Sequence, residues 1–196
     1  MRLISILVTP IVIRYKIMWN FLSKLSLIFV FFPMFLVRFL WRLLDIFDGK
    51  IGSILRYVLV CSRLGQCGKN VYFGSHIYID DFSKLFIGSN VSIHHRCSIL
   101  SGGEVWIGNE VSIAHGSSLI SGNHTWINQD LSIRDNPVTL GSIKISDDVW
   151  IGCGVRVLSN VKIGSRCVIA AGAVVSKNLS SNSIYAGVPA KLIKSI

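Results

Sequence analysis

The chain has no CxxC pair, no zinc-ligand spacing and no even set of cysteines. Its five, Cys61, Cys67, Cys97, Cys153 and Cys167, therefore exclude a fully paired disulfide framework and the common zinc modules. Free thiols, mostly buried, in a reducing compartment are expected instead. The chain also lacks an apolar run long enough to cross a bilayer. The charge-free stretch LSLIFVFFPMFLV between Lys24 and Arg38 has thirteen residues, against the roughly 20 that a span needs, and Pro33 breaks any helix through it. No small-residue cleavage site follows the apolar run Leu3 to Ile13, so no signal peptide is expected. Without secretion the sequons at Asn123 and Asn178 carry no meaning. The net charge of +10 is neither gathered in a basic run nor interleaved with aromatic stacking residues, which speaks against a nucleic-acid partner.

The positive charge is local. Residues 1–66 hold nine Lys/Arg and two Asp/Glu, a balance of +7; the other 130 hold eleven and eight, a balance of +3. The same N-terminal third carries the long apolar runs. After Pro33, polar residues recur at Arg38, Arg42, Asp45 and Asp48, leaving Leu40, Trp41, Leu43, Leu44, Ile46 and Phe47 on the remaining surface. That spacing is helical. It fits a helix lying in a membrane interface with snorkelling arginines, with Lys24, Arg38 and Arg42 reaching anionic headgroups. Packing on a second domain or on another subunit is the competing expectation, and a true span the third.

From Gly68 the pattern changes. Branched apolar residues recur every six positions at Ile145, Ile151, Val157, Ile163, Ile169 and Val175, with small or apolar residues two places earlier at Val149, Val155, Val161, Cys167 and Ala173. Earlier series run through Ile87, Ile93 and Ile99, then Ile107, Ile113 and Leu119, with a fainter one at Phe73, Ile79 and Leu85. A sustained period of six fits neither a helix nor an alternating strand. It predicts a coil of three flat faces, eighteen residues to a turn, with the branched residue pointing at the axis. The step from Ile87 to Ile107 is twenty, which places two extra residues at a corner within Ser101 to Glu104. The step from Leu119 to Ile145 is twenty-six, so a polar segment of about 121–142 must loop out of the stack. Long polar loops on rigid scaffolds tend to carry function.

The stretch DDVWIGCGVRVLSNVKIGSRCVIAAGAVVSKNLSSNSIYAGVPAKLIK resembles the C-terminal signature of the hexapeptide-repeat acyltransferases, above all the galactoside, maltose and surface-polysaccharide O-acetyltransferases. The resemblance covers about 68–194. It implies a mainly β fold: a left-handed parallel β-helix, against the usual right-handed crossover, preceded here by a hydrophobic helical segment (1–66) and followed by a short tail. It also implies a homotrimer with active sites in the clefts between neighbouring helices, and acetyl-CoA as acyl donor, with no metal.

Acyl transfer to a hydroxyl needs a base, and a neutral imidazole is suited to take the proton. By resemblance to the GNH-type motif, His124 is that base. Asp130, Asp135 or a backbone carbonyl would orient it. The oxyanion donor would be a backbone N–H next to Gly152 or Cys153; a nucleophilic role for Cys153 is disfavoured because the family transfers the acyl group directly. By the same resemblance, Ala171, Ser176 and Lys177 contact the pantetheine arm, Lys191 and Lys194 meet the phosphates as point charges where arginine is common, and Trp150 lies near the reacting groups. Asn123 and His115 are assigned to the acceptor side. His95 and His115 hold the same place in consecutive coils and are expected to stack, with His94 and His76 nearby. Gly116 stands where galactoside members often have asparagine, which leaves the acceptor open.

The expected function is transfer of acetyl from acetyl-CoA to a sugar hydroxyl in surface-polysaccharide assembly, at the cytoplasmic side of a membrane. A γ-type metal-dependent hydratase on the same fold and a non-enzymatic membrane scaffold are the alternatives; the GNH loop and the AGVPAK tail count against both.

Overall fold

The computed structural model describes residues 17–196; the apolar run Leu3 to Ile13 lies outside them. Three short helices precede a parallel β-helix: α1 (17–26), α2 (Met34–Leu43) and α3 (Gly49–Val60). Pro33 sits at the N-cap of α2 with φ −63° and ψ 145°. Its fixed φ and missing N–H start one helix and bar continuation from the turn before it.

From Gln66 the chain winds through three parallel faces. Face A stacks Gln66–Cys67, Leu85–Ile87, Val105–Ile107, Ile143–Ile145 and Lys162–Ile163. Face B stacks Val71–Phe73, Val91–Ile93, Ser112–Ile113, Val149–Ile151, Cys167–Ile169 and Ser183–Ala186. The strand Lys191–Ser195 returns antiparallel on its last member. Face C stacks Tyr78–Ile79, Ser98–Leu100, Ser118–Ile120, Arg156–Val157 and Val174–Val175. Ile87 pairs with Ile107, Ile107 with Ile145, and Ile145 with Ile163. All four are buried, so the six-residue period is the axis-facing column.

One position is read differently from the sequence. Leu85 pairs with Val105 and Ile87 with Ile107, so Leu85 belongs to the corner-filling series and the inward series jumps from Ile79 to Ile87. The two extra residues of that coil lie in the 3-10 turn Phe82–Lys84. In the next coil they form the turn in which the Glu104 N–H donates to Ser101 O at 2.7 Å.

The helices and the solenoid share one hydrophobic core. A solenoid's first coil exposes backbone groups that a preceding coil would pair, and terminal repeats must cap them. Here the helices do so with side chains. The Phe73 N–H donates to Ser53 Oγ at 3.0 Å. Arg56 Nε donates to Phe73 O at 3.0 Å, Trp41 Nε1 to Ile77 O at 2.8 Å, and Tyr57 Oη to Gly68 O at 3.1 Å. Arg56 is wholly buried; burial lowers its pKa, an effect opposed by Asp45, Tyr72 and Asp48.

The snorkelling reading of Arg38 and Arg42 is also corrected. Arg38 donates to Asp80 O and lies over the Phe82 ring, and Arg42 lies over Tyr78. Both guanidinium groups are turned to the first coil. Among the described residues no helix is long and apolar enough to cross a membrane.

Candidate active site at two edges of the solenoid

The looped-out segment is a β-hairpin. Gly122–His124 pairs antiparallel with Val138–Leu140, placing His124 opposite Val138. It leaves and rejoins the stack at one point, where the Gly141 N–H donates to Ser121 O at 2.8 Å. Thr125 closes its upper end through N–H and hydroxyl bonds to Pro137 O, at 3.2 and 2.7 Å. Beyond it, 126–136 folds around buried Asn136. The Asn136 amide accepts from Asn128 N–H at 3.0 Å and donates to Asn128 O and Ser132 O at 3.0 Å and to Leu131 O at 3.3 Å. Such a hub satisfies the loop's own backbone without help from the solenoid.

His124 is exposed and lines an open pocket of about 490 Å³ with Asn123, Thr125, Trp126, Ile127 and Thr139. Its ring makes no hydrogen bond among the described residues. Asp135 accepts from Ser132 Oγ at 2.6 Å instead, and the Asp130 N–H donates to Asn128 Oδ1. Of the candidates for orienting the imidazole, neither aspartate is bonded to it. Asn123 reaches into the next coil, donating from Nδ2 to Ser159 Oγ at 2.6 Å. Ser176 and Lys177 follow Val174–Val175 at the same corner one coil further on, and both are exposed. The edge between faces C and A thus carries Asn123, His124, Ser176 and Lys177.

The edge between faces B and C carries the other group. Backbone bonds stack its turns into a ladder: Arg96 N–H to Ser75 O, Gly116 N–H to His95 O, Gly154 N–H to His115 O, and Gly172 N–H to Cys153 O, at 2.8 to 3.1 Å. His76, Arg96, Gly116, Gly154 and Gly172 all have φ between 57° and 72°, the left-handed conformation such tight corners require. One column therefore runs Ser75, His95, His115, Cys153 and Ala171. His95 and His115 stack in it with ring centroids 5.1 Å apart and planes 9° from parallel. His94, beside them, has its pKa lowered by burial and then by His95 and His115. At the foot of the column the Val174 N–H donates to Gly187 O, and the Ala190 N–H to Val174 O. The tail then turns into the strand bearing exposed Lys191 and Lys194.

Gly152 has a structural job. Its N–H is held by Ile169 O at 2.8 Å, and a Cβ there would stand 2.7 Å from Ala171 N. Of the backbone donors considered for an oxyanion, the Gly152 N–H is spent in the ladder. The Cys153 N–H makes no hydrogen bond among the described residues. Trp150 is exposed on face B, in register with Ser112 and Val168, beside a shallow pocket whose walls include Arg166 and Ile196. Among the described residues no group of three or more His, Cys, Asp or Glu side chains is placed to hold a metal ion.

The two edges are separated by the width of face C, six residue steps from Cys153 to Ser159, at most roughly 20 Å at about 3.3 Å per step. Among the described residues no hydrogen bond or ring contact joins His124 to the Cys153 column. Sequence reading missed the Asn136 hub, the Asn123 to Ser159 tie and the apolar wall of Trp126 and Ile127. The isolated polar residues in a long insertion were the available signal.

Residues 142–177 match the family described as bacterial transferase hexapeptide (six repeats). A Saccharomyces cerevisiae protein named as an acetyltransferase is 36% identical over 152 residues, spanning 76% of this chain and 72% of its own length. Among solved structures, a hexapeptide-repeat acetyltransferase of Vibrio cholerae complexed with acetyl coenzyme A superposes with a TM-score of 0.71 at 25% identity, covering 81% of this chain and 86% of that one. A maltose O-acetyltransferase of Clostridium difficile does so with a TM-score of 0.74 at 28% identity, covering 82% and 84%.

Proposed function

The chain belongs to the hexapeptide-repeat acetyltransferases, and from that premise we propose that it moves an acetyl group from acetyl-CoA to a sugar hydroxyl, in clefts between the copies of a homotrimer. The observation that carries this reading is the separation of the two edges. His124 stands on one, and most residues matching coenzyme positions stand on the other or on the adjoining tail. Chains packed side by side about a three-fold axis bring the hairpin edge of one copy against the Cys153 edge of the next.

In that cleft His124 takes the proton of the acceptor hydroxyl. The alkoxide oxygen bonds to the thioester carbonyl carbon, and the Cys153 N–H stabilises the oxyanion. The C–S bond then breaks, and the coenzyme leaves as a thiolate that receives the proton from His124. Products are an acetyl ester and free coenzyme thiol, with no covalent enzyme intermediate. Ala171, Ser176 and Lys177 flank the pantetheine arm, Lys191 and Lys194 attract the phosphates, and Trp150 lies beside the channel. His115 and Asn123 face the acceptor. Support for a carbohydrate acceptor comes from the maltose O-acetyltransferase neighbour; support for the donor comes from the Vibrio cholerae structure solved with acetyl coenzyme A. The cytoplasmic side is proposed because the donor is a cytosolic compound, and a role in surface-polysaccharide assembly is proposed on the sequence resemblance alone.

The test is release of free coenzyme thiol from acetyl-CoA across a panel of free, nucleotide-linked and lipid-linked sugars, amino sugars included. Acceptor-dependent release with formation of an ester supports the reading. Release that depends on an amine and yields an amide overturns the hydroxyl assignment, and no acceptor-dependent release overturns the sugar.

A further inference from the structure

The helical cap has two sides of opposite character. One seals the first coil with Ser53, Arg56, Tyr57 and Trp41 bonded to its backbone. These groups would have paired with a preceding coil, so α2 and α3 lie across the end of the solenoid. Their far sides face outward along its axis. That outward surface is apolar: Phe35 of α2 is 74% exposed, Ile51 of α3 70% and Ile46 in the turn between them 71%, while Phe31, just before α2, is 89% exposed. Phe39 and Leu43 continue the stripe on α2 at helical spacing. An exposed apolar surface of this extent marks an interaction site rather than the scattered residues of an ordinary exterior.

From this we infer that the outward face of the cap docks on an anionic lipid bilayer, lying in its interface without crossing it. Three observations select lipid over another copy of the chain. First, the surface lies at the end of the stack, whereas side-by-side assembly uses the flanks. Second, charge complements an anionic surface: residues 1–66 hold nine Lys/Arg against two Asp/Glu, and while Arg38, Arg42, Arg56 and Arg63 are turned to the protein, Lys24 and Lys50 of the cap are exposed. Third, sixteen residues precede Ile17, apolar for most of their length and bearing Arg2, Arg14 and Lys16 with no acid. A surface that combines apolar area with basic charge binds anionic interfaces through both terms. The inference holds for a single chain. In the proposed trimer three caps would also lie in one plane, and their attachment would reinforce one another.

The experiment is co-sedimentation of the full chain with phosphatidylcholine vesicles, with and without phosphatidylglycerol, measured without any turnover. The wild type is expected to pellet with the anionic vesicles and to be only partly released by salt. Phe35→Glu/Phe39→Glu should lower the partition coefficient about tenfold or more. Both side chains already face solvent, so circular dichroism and Tm should hold; a milder Phe35→Ser/Phe39→Ser pair serves if they do not. Lys24→Ala/Lys50→Ala should erode the preference for anionic lipid. Three results overturn the inference: a wild type that stays in the supernatant, variants that pellet as it does, or a lipid-free wild type with twice the mass of the Phe35→Glu/Phe39→Glu assembly. The last would show that two caps meet end to end. None of these outcomes depends on acetyl transfer, so the docking surface and the enzymatic reading fail separately.

Discussion

Replacing Asn136 with alanine should loosen the hairpin loop while leaving the solenoid intact. The side chain is 4% exposed and makes three bonds at 3.0 Å, from Asn128 N–H and to the carbonyls of Asn128 and Ser132. A net contribution of about 1 kcal/mol for each gives roughly 3 kcal/mol of local stability, or about a hundredfold in the loop's opening equilibrium. The backbone amides of Asp135 and Asn136, both bonded to Ser132 O, report it directly. Their hydrogen exchange should speed up by about that factor, and kcat/KM should fall because Trp126 and Ile127 lose their fixed place beside His124. Tm should stay within about two degrees, since the loop lies outside the core. Ile113→Ala, a core cavity of about 2–5 kcal/mol, supplies the contrast. Unchanged exchange in Asn136→Ala, or a Tm loss equal to that of Ile113→Ala, would refute the hub.

Other perturbations separate the roles assigned above. His124→Ala should lower turnover by about a hundredfold to ten-thousandfold, as for a lost general base, with oligomer mass and coenzyme binding unchanged; retention of half the activity would remove it from catalysis. Lys177, Lys191 and Lys194 changed to alanine should each weaken acetyl-CoA binding by about 1 kcal/mol or less, and weaken a phosphate-free pantetheine thioester less, as read by calorimetry. For His94 the pKa is lowered by burial, then by His95 and His115, so the unfolded chain binds that proton first as pH falls. Its contribution to stability is full above the ordinary 6.5 and declines as pH drops through it toward the folded value. His94→Asn should therefore flatten the fall of Tm between about pH 7 and 5, and an unchanged slope would assign it elsewhere.

The solenoid was legible because its signal is local and repeated. A branched residue every six positions needs no knowledge of distant chain, and Ile145 through Val175 lie buried as the period requires. Leu85 slipped by two because a corner insertion keeps the residue types and shifts only the count. The cap was half legible. Helical spacing between Arg38 and Arg42 is visible in sequence, but the direction in which those guanidinium groups point depends on Asp80, Phe82 and Tyr78, some forty residues away. Of the candidate site, the motif singles out His124, which lines the open pocket of the hairpin. The spending of the Gly152 N–H on Ile169 was hidden, because it depends on which coil lies beneath, and the absence of a carboxylate partner for His124 among the described residues depends on how the insertion folds on itself.

Because the insertion departs at Ser121 and returns at Gly141, a single hydrogen bond of 2.8 Å apart, the stack does not register its length. Ile107 pairs with Ile145 as Ile145 pairs with Ile163, although thirty-eight residues separate the first pair and eighteen the second. The hairpin is in that sense a cassette: its ends are already closed by the scaffold, so a segment of different length and chemistry could be spliced between them at little entropic cost. On the proposed function, transplanting 122–140 should exchange acceptor preference while the edge proposed to hold the thioester, on the other side of face C, stays as it is.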